Sequence, residues 1–172
     1  NSLPTVSVAV SPSSTICAGN VDTLSATATA AGSVMINSYQ WKTSGVNIDG
    51  KTSSTFTTPT SGTYSVIVTD DNGCQRTSVA NAIVVNPLPT LQITNPAAVC
   101  SPAVVNLTAN NVTAGSTSSL TYTYYKDSLG TIVLSNPSTI SIAGTYYIKG
   151  TTAGGCSSVI KSVEVTITNP LV

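Results

Sequence analysis

The sequence contains no histidine, one methionine, one phenylalanine and one tryptophan, and Glu164 is its sole glutamate. Without histidine, the commonest general base and the commonest metal ligand are both missing. Charge is also scarce. Asp, Glu, Lys and Arg make up 7% of the 172 residues, against about 25% in an ordinary soluble domain. The six basic and six acidic residues cancel, so the chain lacks the dense Lys/Arg field that nucleic acid requires. An anionic membrane surface would find no polybasic patch either. No apolar run approaches the 18 or more residues of a membrane span, so no membrane insertion is expected of this segment. No basic-then-apolar leader opens the chain, and an export signal is expected to lie outside it.

What remains is a chain that can build a core. The apolar fraction is 41%, and it is rich in Val and Thr, which suit a pleated, half-buried surface better than a helix. Ser, Thr and Asn take the solubilising place of charge.

The sequence also repeats itself. Leu3-Pro4-Thr5 returns as Leu88-Pro89-Thr90, Cys17 as Cys100 and Cys74 as Cys156. SGTYSVIV at 61–68 matches AGTYYIKG at 143–150, and the junction Asn86-Pro87-Leu88 is echoed at Asn169-Pro170-Leu171. These features keep their order at a nearly constant offset of about 83 residues. Two homologous modules follow, 1–86 and 87–172, and the echoed junction suggests a piece of a longer array. Pro87 and Pro89 fix φ at the junction, which makes it a stiff spacer.

Within each module the apolar period is two. In the first, TVSVAV (5–10), TLSATATA (23–30), YSVIVTD (64–70) and SVANAIVV (78–85) are expected as strands. TLQIT (90–94), VVNLTA (104–109), LTYTYYK (120–126), GTYYIKG (144–150) and SVEVTIT (162–168) are expected in the second. Turn signals such as Asp49-Gly50 and Asp71-Asn72-Gly73 punctuate them. The expected fold is all-β: two tandem Ig-like antiparallel β-sandwiches of about seven strands each. Trp41 occupies the place of the buried tryptophan of such sandwiches, and Tyr124 stands at its repeat position. Tyr64 and Tyr146 each follow Gly-Thr where a tyrosine corner belongs. If Tyr124 and Tyr146 face inward, Tyr125 and Tyr147 face outward and become candidate contacts for a glycan.

STICAGNVDTLSATA, YQWK and SGTYSVIVTDDNGC resemble the Ig-like or PKD-like repeats of very large Bacteroidetes surface proteins. These include gliding-motility adhesins of the SprB type, exported by the type IX system. The resemblance is stronger in the first module than in the second, where VCSPAVVNLTA and GTTAGGC replace the usual forms. It implies a non-catalytic stalk or adhesive surface filament, extracellular and at the cell surface. It also implies O-glycosylation at Asp-Ser/Thr-aliphatic triplets, here at Thr23 and Ser128. In an exported protein, one pair of cysteines per module suggests disulfides. Cys17–Cys74 with Cys100–Cys156 is the plain pairing. Strand direction argues against it, by placing each pair at opposite ends of a module. A separate strand around Cys17 would reunite the pair, and the intramodule bridge is the expected arrangement, with free thiols as a further alternative. A staggered arrangement would join Cys17 to Cys156, with Cys74 and Cys100 facing neighbouring modules.

Other chemistry has thin support. Asp70, Asp71 and Asn72, with Asp49 or Asp22, are too sparse for the six to eight oxygens of calcium, and an Asx-type turn explains them. No Ser–Lys pair with an oxyanion hole and no glycosidase carboxylate pair is evident. Neither an enzyme nor a cofactor is expected. The expected function is cell adhesion through structural repeats, with neighbouring repeats of the same long chain as partners and surface polysaccharide or substratum as a further one. The alternative is a carbohydrate-binding pair that recognises polysaccharide through exposed tyrosines and loops.

Overall fold

The computed structural model describes residues 2–32 and 34–169, so Pro170 and Leu171 of the echoed junction lie outside the described residues. Backbone contacts divide the chain into Asn1–Pro87 and Leu88–Val172, here unit 1 and unit 2. There is no helix among the described residues.

Unit 1 is formed by β1 (Thr5–Ser11), β2 (Thr15–Cys17), β3 (Asp22–Thr29), β4 (Ile36–Thr43), β5 (Val46–Asn47), β6 (Thr55–Thr58), β7 (Gly62–Asp70), β8 (Gln75–Thr77) and β9 (Asn81–Asn86). One layer has the order β1-β3-β6, and the other runs β2-β9-β7-β4-β5 with β8 also paired to β7. All pairings are antiparallel except β2 on β9. Period-two patterning does the work: along β7, Tyr64, Val66, Val68 and Asp70 are buried while the residues between them are half-exposed. Tyr64, Val66 and Val68 meet Leu24, Trp41, Phe56 and Ile83 between the layers. Trp41 is fully buried, and its indole N–H donates to the Ser53 carbonyl at 2.9 Å. Phe56 bridges the aromatic group, 5.6 Å from Trp41 and 5.4 Å from Tyr64.

Unit 2 holds β10 (Val99–Cys100), β11 (Thr121–Tyr125), β12 (Gly144–Thr151), β13 (Lys161–Val165) and β14 (Ile167–Thr168). β11-β12-β13 form an antiparallel sheet and β10 pairs with β14 in parallel. Its own core gathers Leu91, Val105, Leu107, Val112, Leu134, Ile140, Ile148, Val163 and Val165.

The sandwich architecture holds, but the expected strand count does not hold in unit 2. Residues 90–94 and 104–109 form no regular strands; that layer is tied by single links. Val105 and Ile140 exchange both backbone hydrogen bonds at 2.9 Å, and the Leu107 N–H donates to the Pro137 carbonyl at 2.8 Å. Local bonding displaces the ladder here: the Asn106 side-chain oxygen accepts from both the N–H and the hydroxyl of Thr108. Pro96, Pro102 and Pro137 supply no N–H to any ladder. Inward apolar residues survive while the ladder does not, so the layer packs without pairing.

Where the units are regular, they agree closely. Trp41 lies opposite Val66, and Tyr124 lies opposite Ile148. Tyr64 donates its hydroxyl to the Thr60 carbonyl and Tyr146 to that of Ile142, each at 3.0 Å. The turns after β7 and β12 share one scheme. Gly73 and Gly155, both at positive φ, donate to the carbonyls of Asp70 and Thr152. The side chains of Asp70 and Thr152 then accept the N–H of Cys74 and Cys156. Beyond each turn a serine clamps the central strand: Ser78 accepts the Val66 N–H and Ser158 that of Gly150. Unit 2 has two residues fewer between cysteine and serine, and its clamp therefore sits two residue pairs closer to the turn.

One position breaks the apolar pattern. Asp22 is fully buried, and neither carboxylate oxygen has a hydrogen-bond partner. Counted from the module cysteine, it stands where unit 2 has Val105. A buried polar group without a partner costs about 1–3 kcal/mol. Asp22→Val is expected to stabilise unit 1 by about that amount, seen as a higher urea midpoint at unchanged slope. A lower midpoint would contradict this account.

Candidate functional site

The candidate residues do not converge on a reaction centre. Among the described residues, no three of Cys, Asp and Glu come together as a metal site. The Asp70 carboxylate is occupied structurally, accepting the N–H of Asn72 at 3.0 Å and of Cys74 at 2.9 Å. The DDNG segment is thus an Asx-type turn.

The intramodule cysteine pairing is corrected. Cys17 and Cys156 are disulfide-bonded, whereas Cys74 is a half-buried free thiol and Cys100 an exposed one. The reason is strand length. Cys17 is in register with Asn86, beyond the Gly62 end of β7, which pairs with Ile83. Cys74 bonds the Asp70 end. The nine residues of β7 span roughly 27 Å at about 3.3 Å each, whereas bridged Cα atoms lie about 4.4–6.8 Å apart. In unit 2, Cys100 is in register with Thr168 beyond the Gly144 end of β12, and Cys156 closes the turn at the other end. A separate strand around Cys17 does exist, as β2, but it runs beside the wrong end of β9 to reach Cys74. Alkylation without reductant is expected to label Cys74 and Cys100 only, with Cys17 and Cys156 labelled after reduction. Peptide mass mapping checks this, and label on unreduced Cys17 would overturn it.

Of the two tyrosines considered for glycan contact, Tyr125 is not available. It occupies the sheet face opposite Tyr124, which packs on the core, but it is only 6% exposed. Gly130 packs close to it: a Cβ added there would lie 3.6 Å from the Tyr125 ring. The Lys149 ammonium sits 5.7 Å from the ring centroid of Tyr125, a cation–π contact. Tyr147, opposite Tyr125 in the register, is half-buried. Alternation predicts the face correctly here, but a loop contributed from elsewhere decides exposure.

The two triplets for O-glycosylation differ in setting. Thr23 is half-buried in β3, between β1 and β6, and the neighbouring Asp22 is wholly withdrawn. Ser128 is exposed in a turn held by Asp127, whose carboxylate accepts the N–H of Thr131 and, at 2.7 Å, of Ile132. The Ile132 N–H is the main reason the Asp127 carboxyl lies below its ordinary value of 3.8, with Thr131 helping and desolvation opposing. A lowered folded-state value means that the loop gains stability above the ordinary carboxyl value and loses it as pH falls through the lowered one. Asp127→Asn is expected to remove this acid-side dependence, and a carboxyl-carbon NMR titration of the parent should place Asp127 below 3.8. A midpoint above that value would refute the assignment.

Sequence reasoning missed a groove in unit 2. It measures about 500 Å³ and has the buried Leu134 and Ile140 among its apolar lining, with Lys126, Asn136, Thr139 and Tyr146 around it. The only hint in the sequence is the polar, proline-containing run Ser135–Ser141, which reads as a loop.

Comparison with known proteins bears on these units. Residues 88–170 match a family described as Ig-like domain CHU_C associated. No curated protein matches the chain. Among solved structures, the chain is similar to three N-terminal domains of the highly immunogenic outer capsid protein of bacteriophage RB49, with 19% identity and a TM-score of 0.48. That match covers 95% of this chain and 59% of the phage chain, so the chain spans well under two thirds of it. Fibronectin(III)-like modules of Clostridium thermocellum CbhA are similar at 14% identity and a TM-score of 0.48, covering 96% of this chain and 95% of theirs. Extracellular domains 3–5 of Drosophila OTK align at 13% identity and a TM-score of 0.35, covering 90% of this chain and 61% of that one.

Proposed function

We propose that the chain is a load-bearing pair of structural repeats in an extracellular adhesin or surface filament, forming a stiff stalk that presents or builds an adhesive surface in gliding motility or attachment. The observation that carries this reading is duplication with self-sufficiency. Each unit closes its own core and repeats the same strand-end hydrogen bonds, so that units can be added in series without redesign. The bonded cysteines support an oxidising, extracellular setting. No helix among the described residues is long and apolar enough to cross a membrane. The partners proposed are like repeats in the same chain, and no catalytic role is proposed.

The reading is tested by pulling the chain from its two ends in the presence of reductant. Two separate unfolding steps are expected, each releasing roughly 30 nm, since an extended residue spans about 3.3–3.6 Å. A single step releasing the whole contour would mean one cooperative body and would end the modular reading.

A further inference from the structure

The groove of unit 2 occupies the place where that unit departs from the repeat. In unit 1 the corresponding region is closed by its own hydroxyls: those of Thr58, Thr60 and Tyr64 bond one another at 2.9–3.0 Å. Behind them β6 is paired to β3 over four residues. Among the described residues of unit 2, the equivalent segment is held to its neighbour in the same layer only through the Val105–Ile140 bridge and the Leu107–Pro137 hydrogen bond. Tyr146 spends its hydroxyl on the Ile142 carbonyl. The side chains of Ser135, Asn136, Thr139 and Ser141 line the groove and have no hydrogen-bond partner among the described residues. Lys126 lines it too and makes no ion pair among them. Of the nearby carboxylates, Asp127 is held by its own turn, and Glu164 accepts from the hydroxyl of Thr145 at the groove's edge.

We propose that this groove binds a residue of an acidic polysaccharide, a pyranose bearing a carboxylate. The volume falls in the range of small-ligand sites, about 300–1,000 Å³. A pyranose has apolar C–H faces and a hydroxylated edge, which suit a mixed lining of buried Leu134 and Ile140 beside exposed hydroxyls and an amide. Lys126 is the one cation of the lining, and it meets the carboxylate with a charge-assisted hydrogen bond. The ligand class follows from that ammonium, which is solvent-exposed and makes no ion pair among the described residues, so that a carboxylate in the groove can reach it. This site lies within unit 2 and does not depend on the stalk reading, which is judged by unfolding steps and not by binding.

The test is a two-dimensional amide NMR titration of the whole chain with trigalacturonate, and separately with maltotriose. With trigalacturonate, shift changes are expected at Lys126 and between Ser135 and Tyr146. The acidic trisaccharide should bind at least about tenfold more tightly than the neutral one, the scale of one charge-assisted hydrogen bond. Lys126→Ala should remove about that factor, and Asn136→Ala should weaken both ligands. Lys149→Ala, which alters a cation over Tyr125 outside the groove, should leave binding unchanged. Retained dispersion of the spectrum verifies that each variant is folded. Shift changes confined to other surfaces, equal affinity for the two sugars, equal losses from the two lysine variants, or no change up to the solubility limit of trigalacturonate would each overturn the proposal.

Discussion

Each unit depends on one long strand with an apolar inner face, β7 in unit 1 and β12 in unit 2. Both pair with a neighbour on either side, so they are central strands whose hydrogen bonds are satisfied along both edges. Their inward residues sit at alternate positions, Tyr64, Val66 and Val68 in one unit and Tyr146 and Ile148 in the other. A slip of one residue would turn each of these faces outward. The tyrosine at the start and the hydrogen-bonded turn at the end hold that register at both extremities. Length follows from the same strand, and length keeps Cys17 from Cys74 and Cys100 from Cys156.

The opposite layer has more freedom, and the two units use it differently. In unit 1, β1, β3 and β6 form a regular antiparallel sheet whose backbone amides are paired strand to strand. In unit 2 the inward apolar residues persist, as Leu91, Val105, Leu107 and Ile140 show, while prolines and the Asn106–Thr108 interaction withdraw backbone groups from pairing. Packing is therefore conserved where ladder bonding is not. Side chains that a strand would have placed flat against a neighbour instead border a groove, and there their hydrogen-bonding capacity is unspent.

Asp22 shows how a repeat accommodates a local cost. Its carboxylate occupies a site that unit 2 fills with valine, and the pairing of β3 to β1 and β6 on either side holds the strand in place regardless. Asp70 is the opposite case, equally buried but accepting two backbone N–H groups of the turn that it organises. The difference is geometric: a carboxylate at a turn finds exposed N–H groups, whereas one inside a ladder finds them already committed.

Period-two patterning and the internal repeat carried the all-β class, the two modules and the inward tyrosines, because these depend only on which residues alternate and how far apart equivalent ones lie. The places of Trp41, Tyr64, Tyr124 and Tyr146 were legible for that reason. Exposure of Tyr125 was not, since it hangs on where the Gly130 turn comes to rest. Bridge partners were not legible either, because two cysteines per module define a count and not a distance. The groove beside Tyr146 arises from the absence of a ladder, and a ladder is a relation between segments far apart in the chain. Local order along the polypeptide was therefore enough for what each strand is, while only the folded chain could decide what covers it and which polar groups are left unsatisfied.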